Sequence, residues 1–194
     1  MRGFSMGQDG RVASSFLPVI LIAVCLAVLV GIFVINGRLE SLEDRLAYRS
    51  PVVNAPAEIG EGASLSGEGQ AVYVPAYSHI YTLGGKPLLL ETTLSVRNTD
   101  LSRALIVSTV RYFDTDGREV RNFLDAPLTL GPLATAEFLV EASDTSGGSG
   151  ANFIVEWSGE PGVNLPLIET VMVGMDGTQG LAFVGRAREI EQEM

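Results

Sequence analysis

The sequence predicts an all-β fold, an antiparallel immunoglobulin-like β-sandwich, preceded by one N-terminal transmembrane helix. The chain of 194 residues has a formal net charge of −10, yet 46% of its residues are hydrophobic. One uncharged run, residues 16–35, holds 18 of these hydrophobic residues. Beyond residue 70, short apolar segments alternate with turn-forming residues, which is typical of antiparallel sheets. The composition therefore indicates two parts of the chain, an apolar segment suited to a lipid bilayer and an acidic domain suited to water.

This composition excludes several classes of protein. A basic nucleic-acid-binding protein has an excess of lysine and arginine, but this chain has 13 of them against 23 acidic residues. A channel or transporter with its own pore needs several long apolar segments, and a purely cytosolic enzyme needs none. This chain has one, at residues 16–35, so the composition excludes both classes. We therefore expect no nucleic-acid partner.

Residues 16–35 predict the transmembrane helix. A helix of this length, at about 1.5 Å per residue, is about 30 Å long and matches the hydrocarbon thickness of a bilayer. The alternative is a cleaved signal peptide. Against it, the apolar run is longer than the h-region of such a peptide, and residues 34–37 offer no small-x-small cleavage site. We expect the lipid bilayer to be a partner of residues 16–35.

The orientation of this helix rests on the size of the domain that follows it. Arginines flank the apolar run in similar numbers on both sides, so the positive-inside rule does not decide. Long domains are translocated largely regardless of charge. We predict a single-pass signal-anchor, with residues 1–15 as a short cytoplasmic arm and the C-terminal domain outside the cytoplasm.

Small residues inside the predicted span suggest a dimer. Ala23, Ala27 and Gly31 recur at four-residue intervals and would let a second helix approach closely. The alternative is that these small residues face lipid, where they are also common. A homodimer through this ridge is one partnership that we expect.

The chain between the span and the β domain divides into two segments. Residues 36–46 predict a juxtamembrane helix with a leucine seam, although Asn36 and Gly37 interrupt its phase. Residues 47–70 are rich in Gly, Pro, Ser, Ala and Glu without periodicity, which indicates a flexible linker. Residues 71–190 then have the length of one domain, and most of the acidic residues lie beyond the linker.

Period-two alternation predicts the strands of this domain. Leu88, Leu90, Thr92, Leu94 and Val96 form one face of the first clear strand, which ends in a turn at residues 97–100. Further strands are predicted at residues 106–113, 119–123, 128–130, 137–141, 151–157, 167–173 and 181–184. Residues 186–194 are predicted to be a short helix or a frayed end. Strands at this spacing favour an immunoglobulin-like sandwich, with a small barrel as the alternative.

The acidic turn at residues 114–119 (DTDGRE) resembles the start of a calcium loop. An EF-hand needs an oxygen ligand at its fifth position and a glutamate at its twelfth, where this chain has Arg118 and Asp125. An Asp-x-Asp-Gly turn between two strands forms without metal, because Gly117 accepts a positive φ. We therefore predict a hairpin here.

A loop of glycine and serine at residues 143–152 (SDTSGGSGAN) is the least ordinary stretch of the domain. Its backbone amides could form an anion-binding nest, but it lacks the Lys-Ser or Lys-Thr pair of a phosphate-binding P-loop. Ser146 or Ser149 could act as a nucleophile only with His79 as the base, because the chain has one histidine. A hydrolase built from these residues is the catalytic alternative, whereas a flexible loop between strands is the simpler interpretation.

Aromatic residues surround this histidine. Tyr73, Tyr77, His79 and Tyr81 would line one face of a continuous strand, although Pro75 indicates an edge strand or a bulge. Packing of the tyrosines against the core is the simpler interpretation. The candidate interaction patch combines this segment with the glycine-serine loop and comprises Tyr77, His79, Tyr81, Asp144, Ser146, Ser149 and Asn152. A single histidine cannot form a conventional zinc site without cysteine partners, and we expect no metal and no cofactor.

Three segments carry a resemblance to a known family: residues 73–81 (YVPAYSHIY), 94–100 (LSVRNTD) and 144–157 (DTSGGSGANFIVEW). They resemble an uncharacterised bacterial family known only as a domain of unknown function. The resemblance covers residues 72–184 and implies a bacterial protein with an exported or membrane-tethered domain. It implies no activity and no catalytic residues.

The sequence as a whole predicts a binding or assembly module without catalytic activity. We expect it to be anchored in the bacterial cytoplasmic (inner) membrane with its acidic β domain outside, where it binds an unknown protein partner. The alternatives are the hydrolase already described and a structural accessory subunit of a membrane complex.

Overall fold

The computed structural model describes residues 20–36, 38, 48–51 and 70–190. Residues 20–36 form a helix, α1, and Arg38 is also helical. Within these ranges, no helix has both the length and the apolar character needed to cross a membrane. The predicted transmembrane helix is therefore not confirmed, and residues 16–19 of it lie outside the described residues.

The other N-terminal predictions fall largely outside the described ranges. The predicted arm, residues 1–15, is not described, and neither is most of the predicted juxtamembrane helix or of the linker. Ala23, Ala27 and Gly31 lie on α1, so their pairing with a second helix stays a prediction. The last residue assigned to the linker, Gln70, belongs instead to the first strand.

The described part of the β domain consists of strands joined by turns and one short 3-10 turn at Gly148–Gly150. The strands are β1 (Gln70–Pro75), β2 (His79–Thr82), β3 (Lys86–Leu89), β4 (Glu91–Arg97), β5 (Leu105–Phe113), β6 (Glu119–Asn122), β7 (Leu128–Leu130), β8 (Thr135–Val140), β9 (Asn152–Gly159), β10 (Leu167–Asp176), β11 (Gln179–Arg186) and β12 (Arg188–Ile190).

These strands form two main antiparallel sheets and a separate hairpin. The first sheet has the order β12-β1-β9-β5-β6, and β7 also pairs with β5. The second sheet has the order β11-β10-β4-β8, and β2 pairs with β3 alone. Every pairing between these strands is antiparallel. The all-β, antiparallel part of the fold prediction is confirmed.

Both sheets contribute to one hydrophobic core. Alternate residues of each strand are buried, as period-two patterning requires. From the first sheet come Val74, Val107, Tyr112, Phe153, Val155 and Trp157, and from the second come Leu94, Val96, Phe138, Val140 and Ile168. Phe153, Val155 and Trp157, at alternate positions of β9, are all buried.

Two local predictions were wrong. The tail was predicted to be helical or frayed, but its described part ends in β12, which pairs with β1 through Ala71 and Ile190. A continuous strand over residues 73–81 was one possibility, with Pro75 indicating an edge strand or a bulge. The strand instead ends at Pro75, and β1 lies between β9 and β12. Proline is tolerated there because β12 pairs only with residues 71–73 of β1, so no partner needs a proline N–H on that side.

The strand registers define two ends of the domain. Gln70 pairs with Trp157, and Leu105 pairs with both Gly159 and Leu130, so the loops of residues 98–104, 131–134 and 160–166 lie at one end, the Gln70 end. The β2–β3 hairpin, the turn of residues 114–118 and the glycine-serine loop lie at the opposite end, the hairpin end.

Candidate functional site

The structure brings the histidine segment and the glycine-serine loop together at the hairpin end. The Ser78 N–H donates to the Gly148 carbonyl at 2.9 Å, and the Ala76 N–H donates to the Ala151 carbonyl at 2.9 Å. These bonds join the two halves of the predicted interaction patch through the main chain. They arise because the chain leaves β1 beside the start of β9, with which β1 pairs.

The glycine-serine loop is held by Thr115 and Tyr112. The Thr115 hydroxyl donates to the Gly147 carbonyl at 3.0 Å and accepts the Gly150 N–H at 3.0 Å. Gly147 packs so closely on Tyr112 that a Cβ at this position would overlap the phenol oxygen. A loop that the sequence predicted to be flexible is therefore fastened at both ends of its glycine run.

Tyr112 is buried in the core beneath this loop. Its hydroxyl shares a hydrogen bond of 3.1 Å with the buried Ser78 hydroxyl. Burial raises the pKa of Tyr112, while the bond to Ser78 opposes that rise. Tyr112 thus supports the loop from below as a neutral phenol.

Ser146 is engaged with an aspartate. Its hydroxyl donates to Asp144 Oδ1 at 2.5 Å, and its N–H donates to the same oxygen at 3.1 Å. These two bonds, with the nearby Arg121 guanidinium, lower the pKa of Asp144 against a smaller effect of burial. The arrangement is a local turn around a carboxylate.

His79 has a different partner. Its Nε2 atom shares a hydrogen bond of 3.2 Å with the Tyr81 hydroxyl, and the two rings meet edge to face. No hydrogen bond joins His79 to a serine in the described parts of the chain. Tyr77 packs against Phe183, and Asn152 begins β9 opposite Pro75. The structure therefore places the patch residues at one end but does not assemble a serine-histidine pair.

The acidic turn at residues 114–118 joins β5 to β6, as the hairpin prediction requires. Asp114 Oδ1 accepts the N–H groups of Asp116 and Arg118 at 2.9 and 2.8 Å. Gly117 has a φ of 77°. Across residues 20–36, 38, 48–51 and 70–190, no group of three or more His, Cys, Asp or Glu side chains could hold a metal ion.

The Gln70 end carries a surface that the sequence did not predict. Three leucines on three loops are mostly exposed: Leu101 by 78%, Leu133 by 63% and Leu165 by 58%. We call these three residues the leucine cluster. Exposed single leucines are ordinary. These three lie on loops that hydrogen bonds join at one end of the domain, which makes them a candidate contact surface.

Asn98 joins the first two of these loops. Its side-chain Nδ2 lies 2.8, 3.0 and 2.9 Å from the carbonyl oxygens of Arg103, Leu130 and Gly131, so its two N–H groups are shared among three acceptors. Its Oδ1 atom accepts the Asp100 N–H at 2.9 Å. The side chain is 2% exposed, so each of these bonds forms away from solvent and fixes loop 131–134 against loop 98–104.

Asp100 joins the first loop to the third. Its Oδ1 atom accepts the N–H groups of Ser102 and Arg103 at 2.9 and 2.8 Å, and its Oδ2 atom accepts the Asn164 N–H at 3.0 Å. These main-chain bonds hold the pKa of Asp100 far below its usual range, against the effect of burial. The Thr99 hydroxyl adds a bond of 2.8 Å to the Leu165 carbonyl.

The backbone also brings Leu133 to the first loop. Its N–H donates to the Asp100 carbonyl at 3.2 Å, and its φ of 58° places it in the left-handed region. This conformation is unfavourable for leucine by about 1–2 kcal/mol, and a largely exposed side chain recovers little of that. Strain at an exposed apolar residue is more often a feature of a functional surface than of a packed core.

An open cavity of about 120 Å³ adjoins the cluster through Leu165. Its lining is mainly apolar and includes Val72, Trp157, Pro166 and Ile168, with Gln70 and Glu189 at the polar side. The cavity is smaller than a typical ligand pocket, so we assign it no binding site of its own.

Sequence reasoning missed the leucine cluster because each leucine is isolated in its own loop. Asn98 and Asp100 were interpreted only as residues of a turn after β4. The available signal was an apolar residue flanked by turn formers at residues 100–102 and again at 131–134. Only the fold places these separate segments at the same end.

Comparisons with known proteins identify a family and little else. The family model described as "Protein of unknown function (DUF3124)" matches residues 69–190. No curated protein matches the chain. A solved structure from Thermotoga maritima, described as that of protein 1070, is similar over 64% of this chain and 97% of its own, with 9% identity and a TM-score of 0.38.

Proposed function

The chain belongs to the family described as "Protein of unknown function (DUF3124)", and we propose that it is a membrane-tethered binding module whose β domain contacts a protein partner through the leucine cluster. The observation that carries this proposal is the joining of three exposed leucines by the buried side chains of Asn98 and Asp100. A surface held rigid before binding loses little conformational entropy when its partner arrives.

The charge of the domain supports a particular kind of partner. Residues 70–190 contain 14 aspartates and glutamates against eight lysines and arginines. Like charges across an interface are unfavourable, so an acidic partner is disfavoured. We propose an apolar contact patch on a basic or neutral protein.

The tether is proposed from the sequence. Residues 16–35 contain no charged residue and 18 hydrophobic ones, and a linker of about 24 residues would span about 25–30 Å. Such a tether would leave the domain, of proposed immunoglobulin-like type, near the outer face of a bacterial cytoplasmic membrane. The leucine cluster lies at the Gln70 end, where the chain enters the domain.

Binding is better supported than the hydrolase alternative. A serine nucleophile needs its base within hydrogen-bond reach, but Ser146 bonds to Asp144 and His79 bonds to Tyr81. The residues of the predicted interaction patch form the second surface to be tested. Tyr81 is 63% exposed there, and Leu83 at the tip of the hairpin is 77% exposed.

Site-specific photo-cross-linking in the cells that make the full chain tests the proposal. A photoreactive residue at Leu101 or Leu133 should give an adduct with one protein, whereas the same residue at Val120 should not. Val120 is a matched control because it is also an exposed apolar residue, on β6.

Substitution then measures the contribution of the cluster. The double variant Leu101→Ser, Leu133→Ser should reduce recovery of the same partner by about tenfold or more, because each truncated anchor residue weakens binding by about 1 kcal/mol or more. Equal adducts at Leu101 and Val120 would refute the proposed surface. Adducts at Tyr81 alone would move the interface to the hairpin end. A membrane fraction that releases the chain in alkaline carbonate would refute the tether.

A further inference from the structure

The second sheet ends on an unprotected strand. β11 pairs with β10 and with no other strand in the described part of the chain. From Gly180 to Gly185 it reads GLAFVG, with no charged residue and no proline. The edge strands β6, β8 and β12 carry charges within their length, which is a usual protection against pairing with another strand. In β11 the one charge, Arg186, stands at the last residue, and the three-residue strand β7 has none.

We propose that the β11 edges of two copies of this chain pair antiparallel about a twofold axis at Ala182, forming one continuous eight-stranded sheet. This pairing uses a surface distinct from the leucine cluster and does not depend on the proposed partner.

Twofold symmetry fixes the faces of such a pair. A twofold axis normal to the sheet leaves each face of the sheet pointing the same way in both copies. Residues that oppose each other across the axis are therefore both odd-numbered or both even-numbered, and their side chains lie on the same face. With the axis at Ala182, Phe183 of one copy opposes Leu181 of the other, and Val184 opposes Gly180. A large residue meets a smaller one in every off-axis pair.

The register of β10 and β11 within each copy extends these pairs into apolar rows. Val173 pairs with Ala182, so the central row runs Val173, Ala182, Ala182, Val173 across the two copies. Val184 pairs with Val171 in its own copy, and Gly180 pairs with Met175, so the next row runs Val171, Val184, Gly180, Met175.

Exposure shows that these rows lack neighbours within one copy. Val184 is 50% exposed and Met175 is 64% exposed. In the pair, the absence of a side chain at Gly180 lets these two residues approach each other. Cross-strand apolar contacts of this kind are the unit of stabilisation in a sheet.

Charges at the two ends of the pair are complementary. Arg186 of one copy opposes Thr178 of the other, in the turn that follows Asp176. Each copy therefore brings a cation to an anionic turn of its partner, twice by symmetry. The net negative charge of the chain opposes association at long range, and added salt screens this repulsion. An edge strand of a different protein would not place an opposite charge at both ends of the pair, as a second copy of this chain does.

Disulfide formation tests the pairing and its register in the full chain. The single cysteine is first removed as Cys25→Ala, because a disulfide there would report on α1. Ala182→Cys should then form a covalent dimer under mild oxidation, since paired Cα atoms lie about 4.5–5.5 Å apart, within disulfide range. Val120→Cys on the charged edge β6 is the matched control.

Register is tested by mixing two variants. Val184→Cys alone should form little dimer, whereas Val184→Cys mixed with Gly180→Cys should form a heterodimer at least tenfold more efficiently. Adding Ala182→Lys to both should reduce that heterodimer by about tenfold, because two lysines would meet at the axis. Ala182 is exposed, so this variant should keep the far-ultraviolet circular dichroism of the parent.

The result that overturns the proposal is a dimer yield from Ala182→Cys no greater than that from Val120→Cys. Equal dimer from Val184→Cys alone and from its mixture with Gly180→Cys would also overturn the register. Repeating the experiment with Gly31→Leu separates the edge from α1: the Ala182→Cys dimer should persist.

Discussion

The phenol of Tyr112 occupies the space that a side chain at Gly147 would need. Gly147 has ordinary helical backbone angles, a φ of −75° and a ψ of −27°, so its glycine is required by this contact and not by its conformation. Because Tyr112 is anchored in the core and bonded to Ser78, the glycine-serine loop must move if position 147 gains a Cβ.

Gly147→Ala should therefore destabilise the domain by about 1–3 kcal/mol, the usual effect of overpacking. Urea unfolding followed by fluorescence measures this directly, because Trp157 is the one tryptophan and is buried. Gly131→Ala is the control, since a Cβ there would meet nothing within 4 Å. Equal unfolding free energies for the two variants would contradict the close contact.

Thr170→Val should lower the free energy of unfolding by about 1–2 kcal/mol, although it preserves the shape of the side chain. The fully buried Thr170 hydroxyl donates to the Pro75 carbonyl at 2.7 Å and so links the second sheet to the end of β1. Valine removes the donor and leaves this carbonyl with an unfilled acceptor position. Thr129→Val, at an exposed site on β7, should change the free energy of unfolding by less than about 0.5 kcal/mol. A smaller effect at Thr170 than at Thr129 would rule out this link.

Acid should weaken the loops of the leucine cluster through Asp100. Because its pKa is lower in the folded protein than in the unfolded chain, Asp100 stabilises the fold above its unfolded pKa of about 3.9, and the stabilisation is lost as pH falls through the folded pKa. Below about pH 4, unfolding of the parent should therefore take up about one more proton than unfolding of Asp100→Asn.

Urea unfolding at a series of pH values between about pH 2 and pH 6 gives the free energy of unfolding at each pH. The slope of this free energy against pH gives the proton uptake on unfolding. Thr129→Val, which changes no titratable group and lies at an exposed site, is the control and should keep the slope of the parent. If Asp100→Asn also keeps that slope, the carboxylate does not hold the loops together in the folded state.

Leu133→Gly should stabilise the domain while weakening partner binding. Glycine removes the left-handed strain of about 1–2 kcal/mol but adds freedom to the unfolded chain, which leaves a gain of about 0.5–1 kcal/mol. Leu101→Gly is the matched control: Leu101 is also mostly exposed but has no positive φ, so this variant should lose stability. A Leu133→Gly variant that is less stable than the parent would show that the leucine is retained for packing.

The sequence predicted strands well because burial on one face leaves a period of two. The alternate residues Leu90, Thr92, Leu94 and Val96 are buried as that rule requires. The single strand predicted from Leu88 is instead two strands, β3 and β4, which are divided at Leu90 and belong to different sheets. The Asp-x-Asp-Gly turn formed the expected hairpin. β12 was missed because a three-residue charged strand has no apolar period of its own and forms only by pairing with β1.

The candidate sites were less accessible to sequence reasoning. The grouping of the His79 segment with the glycine-serine loop was suggested by composition, and the structure brings both to the hairpin end. The leucine cluster was missed because it depends on hydrogen bonds from Asn98 to carbonyls more than 30 residues away. Contacts of that range are created by topology and leave no local pattern.

The pairing of Ala71 with Ile190 has a practical consequence for anyone handling this protein. The chain enters and leaves the β domain side by side, at the end that carries Leu101, Leu133 and Leu165. An affinity tag or fluorescent protein fused directly after Ile190 would emerge beside that surface and compete with a partner for space. A short tag inserted between Gly177 and Thr178, in the turn at the far end, would leave the surface free for capture experiments.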